Sequence, residues 1–166
     1  VKVVESVIDI KDVYVQTFLA IKEDTQLLDL LEIEYEAIEE NEFMNKLRTQ
    51  VVDTSYPTDL LTDNATRLCI HEQDESYKSG MFQETAYLAI DINITKDKNA
   101  IDRRSFLIIK RLIEVLDSKQ RERQYKQPLK IGLYGLEYVT RLLNNQKYTT
   151  TGWEKYTVVF KYSYLL

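Results

Sequence analysis

The stretch from Phe82 to Asp117 constrains this chain most, because a long strand pattern leads directly into a long helix pattern. In the strand half, apolar residues alternate with mainly polar ones, which is the period of a strand with one buried face. We therefore expect one face in the core and the other face in solvent. The apolar positions are Ala86, Leu88, Ile90, Ile92 and Ile94, and the intervening positions are Gln83, Thr85, Tyr87, Ala89, Asp91, Asn93 and Thr95.

The helix half predicts one amphipathic helix from Ala100 to Asp117, and Asn99 can cap its first turn. Its apolar stripe is wider than a helix on one sheet face requires. We expect it to pack against an N-terminal helix as well, or to meet another subunit. The stripe contains Ile101, Ser105, Ile108, Ile109, Leu112, Val115 and Leu116, and Phe106 and Ile113 widen it.

Patterns elsewhere in the chain predict two more helices and two hairpins. The first helix covers about Val7 to Lys22, and a second begins at Asp24 or Thr25. Strands at Arg67–Gln73, Leu136–Leu143 and Trp153–Tyr164 complete two long hairpins with the strand that opens at Phe82. The predicted fold is α+β, an antiparallel sheet of two hairpins with helices packed on one face.

At 166 residues, the chain fits a single α+β domain, residues 1–166, in which Glu32 to Thr66 forms an acidic, irregular or helical insertion. A net charge of −5 argues against a general nucleic-acid binder. The single cysteine, Cys69, excludes an internal disulfide and suits a reducing cytoplasm. No apolar run is long enough for a bilayer, and Glu5 and Asp9 interrupt any signal-peptide pattern.

No motif in the sequence indicates an enzyme, and we predict no catalytic residue, cofactor or metal site. The only histidine, His71, is expected to be structural, and Cys69 is expected to be a buried, inert thiol. One enzymatic alternative is a magnesium-dependent nuclease or other DNA-processing enzyme that uses Asp91, Glu84 and Lys96. The strand lacks a second acid and a lysine close together at one end, so a solvated sheet face is the preferred interpretation.

Charge is strongly segregated along the chain. Glu23 to Glu42 contains nine acidic residues and no basic ones, whereas Arg103 to Lys130 contains nine basic and three acidic residues, a net +6. The two segments can pair inside one subunit or form separate solvated faces. Alternatively, the acidic edge of one copy meets the basic edge of the next in a head-to-tail contact, which produces a ring if the rotation closes.

This order of elements resembles the tail terminator, or tail completion, proteins of long-tailed bacteriophages. The residues that carry the resemblance are the opening helix around Val13 to Ile21 with the turn Leu27 to Leu31, the hairpin Arg67 to Thr95, the helix Ala100 to Leu116, and Gly152-Trp153 before the strand Tyr156 to Tyr164. It is a resemblance of order and pattern, without a catalytic signature.

The resemblance implies a virion structural protein at the tail–head junction, assembled in the host cytoplasm. Its partners would be further copies in a hexameric ring, the tail tube protein, and a head–tail connector or head completion protein. Genomic DNA would pass through the lumen without specific binding, and no membrane is involved. A third possibility is a monomeric α+β binding domain. Candidate subunit or lumen contacts are Gln83, Thr85, Tyr87, Asp91, Asn93, Arg103, Arg104, Lys110 and Arg111.

Overall fold

The computed structural model describes residues 10–54, 63–73, 77–78, 82–124, 126–142 and 152–165. Within these ranges the helices are α1 (Ile10–Lys22), α2 (Thr25–Leu30), α3 (Glu40–Gln50), α4 (Lys96–Asp102), α5 (Arg104–Leu116) and α6 (Ser118–Arg123). The strands are β1 (Val51–Val52), β2 (Arg67–Glu72), β3 (Tyr77–Lys78), β4 (Gln83–Thr95), β5 (Glu137–Leu142) and β6 (Trp153–Leu165). The predicted helix start at Val7 lies outside the described residues.

The strands form a mixed sheet in the order β1-β2-β4-β6-β5, and β3 pairs with the beginning of β4. The predicted antiparallel pairings of β2 with β4 and of β5 with β6 are present, and β4 pairs with β6 along its whole length. The sheet is not purely antiparallel, however, because β1 runs parallel to β2. Parallel neighbours need a long crossover connection, and residues 53–66 supply the length for one.

One face of the sheet carries the hydrophobic core, and the helices pack on it. The alternate apolar residues of β4 predicted to be inward are all buried there, as are Leu68 and Ile70 of β2. Leu27 and Leu28 of α2 and Leu47 of α3 join the same cluster. The period-two pattern therefore identified the core face correctly.

The predicted helix from Ala100 to Asp117 is in fact two helices. The chain enters the left-handed region at Arg103, with φ of 52°, which ends α4 and begins α5. Thr95 caps α4, and the Asn99 side chain instead accepts a hydrogen bond from the Ser105 N–H at the beginning of α5. The break turns Ile101 out of the predicted stripe, so this side chain is 82% exposed.

The centre of the stripe on α5 is buried as predicted, while Phe106 and Ile113, which widen it, are half-buried. Its residues from Ser105 to Leu116 face the sheet, while α5 also packs against α1, α2, α4 and α6. Helix neighbours on two sides explain the width of the stripe, which a sheet alone would not require. The first of the two expectations, packing against the N-terminal helix, is therefore met within one chain.

The segment predicted to be an irregular or helical insertion contains both kinds of structure. Residues 31–39 have no regular helix or strand, and α3 and β1 follow them. Val51 lies in this segment, where it begins a strand and is fully buried. Two consecutive valines favour extended backbone because their branched side chains are restricted in a helix.

Candidate functional site

The most unusual polar arrangement lies on the sheet face opposite the core. Strand register places Cys69, Asp91 and Thr157 side by side on β2, β4 and β6, and such cross-strand neighbours point to the same face. We expected this face to be solvated. That expectation is wrong here, because Asp91 is 3% exposed and Asn93 is 5% exposed.

The Asp91 carboxylate is the centre of this polar face. Its Oδ1 accepts a hydrogen bond of 2.6 Å from the Thr157 hydroxyl, and its Oδ2 lies 2.9 Å from His71 Nε2. The Lys155 ammonium lies 3.7 Å from the same Oδ2. The two strands that flank β4 thus direct a hydroxyl, an imidazole and an ammonium group at one buried carboxylate, and together these groups compensate its loss of hydration.

These contacts shift the pKa values of Asp91 and His71 in the directions expected for an ion pair. Burial alone would raise the pKa of the Asp91 carboxyl, but the hydrogen bonds from His71 and Thr157 outweigh it and hold that pKa below its usual range. The hydrogen bond to Asp91 raises the pKa of His71, against burial, which lowers it. The pair is therefore favoured in its charged form.

Cys69 lies beside this network without the properties of a nucleophile. The thiol is fully buried, and its sulfur accepts a hydrogen bond of 3.4 Å from Asn93. Burial, with a smaller contribution from the negative charge of Asp91, raises the pKa of Cys69 to about 12. A thiol that stays protonated and has no access to solvent is unreactive, which agrees with the inert role predicted from the sequence.

The structure does not bring together the three residues of the nuclease alternative. Glu84 and Asp91 are seven positions apart on β4, which is about 23 Å along a strand, and an odd separation places them on opposite faces. Lys96 follows the far end of β4 in α4. Among the described residues, no group of three or more potential metal-ligating His, Cys, Asp or Glu side chains is close enough to hold an ion.

The residues predicted to contact neighbouring subunits or a lumen occupy different environments, and their role remains a prediction. Those that are buried within the chain can offer little surface to a neighbour, whereas the exposed ones are accessible. Thr85, Asp91 and Asn93 are buried; Gln83, Tyr87, Arg104 and Arg111 are half-buried; Arg103 and Lys110 are exposed.

The oppositely charged segments meet inside the chain at two places. Arg111 on α5 binds Asp24 through two guanidinium nitrogens, at 3.0 Å from Nε to Oδ1 and 2.6 Å from Nη2 to Oδ2. Glu32 accepts hydrogen bonds of 2.6 Å from Lys98 and 2.7 Å from Arg104. Internal pairing therefore uses part of the segregated charge, and several exposed carboxylates and bases lie outside these pairs.

A cleft of about 380 Å³ opens between α1 and the core face of the sheet. Val13, Ile70 and Leu88 form apolar parts of its lining. Sequence patterns did not indicate this cleft, because its lining comes from α1, the segment after β1, and strands β2, β4 and β6. The remaining lining residues are Tyr14, Val15, Asp53, His71, Glu72 and Tyr162.

Sequence patterns also missed the Asp91 network, although each of its residues was visible. His71, Asp91 and Thr157 are separated by 20 and 66 positions, and only the strand register aligns them. The available signal was a carboxylate between Ile90 and Ile92 in a long strand, because such a group needs partners wherever that strand is central in a sheet. The described part of the chain contains no helix that could span a membrane.

The fold is α+β, with a mixed sheet and helices on its core face. This fold can be compared with those of known proteins. No family model matches the chain, and no curated protein matches it. A similar fold occurs in a chain of a solved structure described as the virion of a native gene transfer agent (GTA) particle. The two chains are 14% identical, with a TM-score of 0.53, and the match covers 92% of this chain and 94% of that chain. At this identity the likeness establishes a shared fold.

Proposed function

We propose that this protein is a virion structural protein of the tail terminator type. In this role, a ring of copies caps the end of a tail tube and joins the tail to a head connector. The observation that carries the proposal is the fold shared with a chain of a gene transfer agent virion over nearly the full length of both chains. The order of elements that resembles tail terminator proteins supports the same role independently.

A structural role without catalysis agrees with the chemistry of the described residues. The Asp–His pair of the polar face has no reactive nucleophile beside it, because the Cys69 thiol is buried and protonated. The net charge of −5 suits a ring through which DNA passes, since an acidic protein repels phosphate instead of retaining it. The proposed partners are further copies in a hexameric ring, a tail tube protein and a head–tail connector.

The experiment that tests this role combines sedimentation velocity with electron microscopy of the purified chain, alone and mixed with tail tubes. We expect ring-shaped oligomers with a central opening, and a ring at one end of each tube. A protein that stays monomeric at high concentration and does not bind tube ends would refute the proposal. A ring that forms but does not bind tubes would retain self-assembly and reject the capping role.

A second candidate is a monomeric α+β binding domain, and the internal ion pairs favour it. Arg111 with Asp24, and Arg104 with Glu32, show that the charged segments pair partly within one chain. The mass measurement separates this candidate from a ring. The nuclease alternative predicts magnesium-dependent cleavage of DNA that Asp91→Ala abolishes, and equal background activity of parent and variant would remove it.

A further inference from the structure

The cleft beside α1 combines an apolar interior with a polar rim. Buried side chains of Val13, Ile70 and Leu88 contribute its apolar lining, while Asp53 and Glu72 contribute carboxylates. Asp53 is exposed and Glu72 is half-buried, so both carboxylates are accessible from the cleft opening. The cleft volume of about 380 Å³ lies within the range of protein sites that enclose small groups.

Two phenol groups lie beside these carboxylates in the cleft lining. The Tyr162 hydroxyl donates a hydrogen bond of 2.5 Å to Glu72 Oε1, which holds the carboxylate at the cleft. Burial, followed by the negative charge of Asp53, raises the pKa of Tyr14, so this phenol stays neutral. Carboxylates and aromatic faces both attract cations. His71 also lines the cleft, but its imidazole is paired with Asp91 and not with these two carboxylates. The lining therefore suits a group with an apolar body and a positively charged end.

Lysine and arginine side chains have this composition, because an apolar methylene stem carries the charged group. This chain presents such side chains on α6, where Lys119 and Arg123 are one turn apart and share a helix face. Both are exposed, and among the described residues neither has a carboxylate within 4.0 Å. The short helix is fixed at its start by Asp117, whose Oδ1 accepts the Gln120 N–H.

We propose that the cleft beside α1 of one copy receives the basic face of α6, Lys119 and Arg123, from a second copy. The stems of these side chains pack against the apolar lining, and their charged ends meet Asp53 and Glu72. Because the cleft and the basic face are different surfaces, this contact is heterologous, as a ring requires. The inference rests on the proposed self-assembling role and assigns the surfaces through which copies meet.

The test is a charge swap in the full-length chain. A cleft variant carries Asp53→Lys and Glu72→Gln, and a helix variant carries Lys119→Glu and Arg123→Glu. Each variant alone should weaken self-association at least about tenfold in sedimentation velocity, because it places like charges together or removes the attraction. An equimolar mixture should recover association, since each altered surface then finds a complementary one. Raising the salt concentration should weaken the parent contact.

Matched controls separate this contact from a general charge effect and from misfolding. Glu36→Lys and Lys96→Glu reverse exposed charges outside the cleft and α6, and they should leave self-association unchanged. Circular dichroism and urea unfolding check that every variant folds. The assignment is overturned if both swap variants associate like the parent, if their mixture does not recover, or if the parent is monomeric. In the first case the parent still self-assembles, so the proposed ring survives through other surfaces.

Discussion

The two faces of the central sheet are built from different interactions. On the core face, β4 and β6 contribute Ile90, Ile92, Val158 and Phe160, all fully buried under the helices. On the opposite face, the same strands contribute polar side chains around the Asp91 carboxylate. Because the residues of the two faces alternate along the same strands, the two faces differ in their environment and not in their position along the chain.

The two faces contribute differently to the stability and to the register of this sheet. Apolar burial contributes free energy roughly in proportion to area and without direction. The Asp91 contacts are directional, because a slip of one residue between β4 and β6 would turn Thr157 away from the carboxylate. We infer that the core face supplies most of the stability, while the polar face favours one alignment of β2, β4 and β6.

The largest expected effect comes from creating a cavity on the core face. Phe160→Ala should lower the free energy of unfolding by about 3–5 kcal/mol, because a fully buried ring is removed from a close-packed cluster. Urea unfolding followed by circular dichroism measures the change. Val139→Ala is the control, since its side chain is 41% exposed and should change stability by less than about 0.5 kcal/mol. Similar losses in both variants would contradict the assignment of the core face.

On the polar face, Asp91→Ala should cause a smaller loss in the free energy of unfolding. Removing the carboxylate leaves the Thr157 hydroxyl and the His71 imidazole without their acceptor, which should cost about 1–3 kcal/mol. Asp91→Asn is the matched variant, because it keeps the side-chain volume and one acceptor oxygen but removes the negative charge. In the same urea measurement, the free energy of unfolding of Asp91→Asn should lie between those of the parent and Asp91→Ala. Full stability of Asp91→Ala would show that the network contributes little.

The His71–Asp91 contact also predicts a pH dependence. Contact with Asp91 raises the pKa of His71 in the folded protein above its ordinary value of 6.5. The stabilisation from this contact is therefore fully present below pH 6.5 and is lost as the pH rises through the folded pKa. The free energy of unfolding should therefore decrease between mildly acidic and mildly alkaline pH. The chain has one histidine, so His71→Gln should remove this decrease. An unchanged pH profile in that variant would assign it to other groups.

The smallest expected effect concerns Cys69, which should not react while the protein is folded. A thiol-specific reagent should not modify the folded protein at mildly alkaline pH, because the side chain is buried and its pKa is raised to about 12. The same reagent should modify one thiol per chain in denaturant, as mass spectrometry would record. Rapid modification of the folded chain would mean that the polar face opens to solvent.

Particular residues show how much of the fold and the site could be predicted. The alternation in β4 and the stripe from Ser105 to Leu116 identified the core face, because hydrophobic periods report burial directly. The break at Arg103 could not be predicted, since a left-handed arginine is unfavourable locally and depends on its surroundings. The parallel strand β1 was missed because two residues are too short to show a period.

The main elements, the core face of β4, the segregation of charge and the absence of a familiar catalytic motif are all evident from local patterns in the sequence. These features depend on local order along the chain, such as residue spacing and composition. Three features appear only in the folded chain: the burial and pairing of Asp91, the contacts of Arg111 with Asp24 and of Arg104 with Glu32, and the cleft beside α1. Each of these features depends on strand register or helix packing between residues that are far apart in the chain. A local sequence pattern does not encode such contacts.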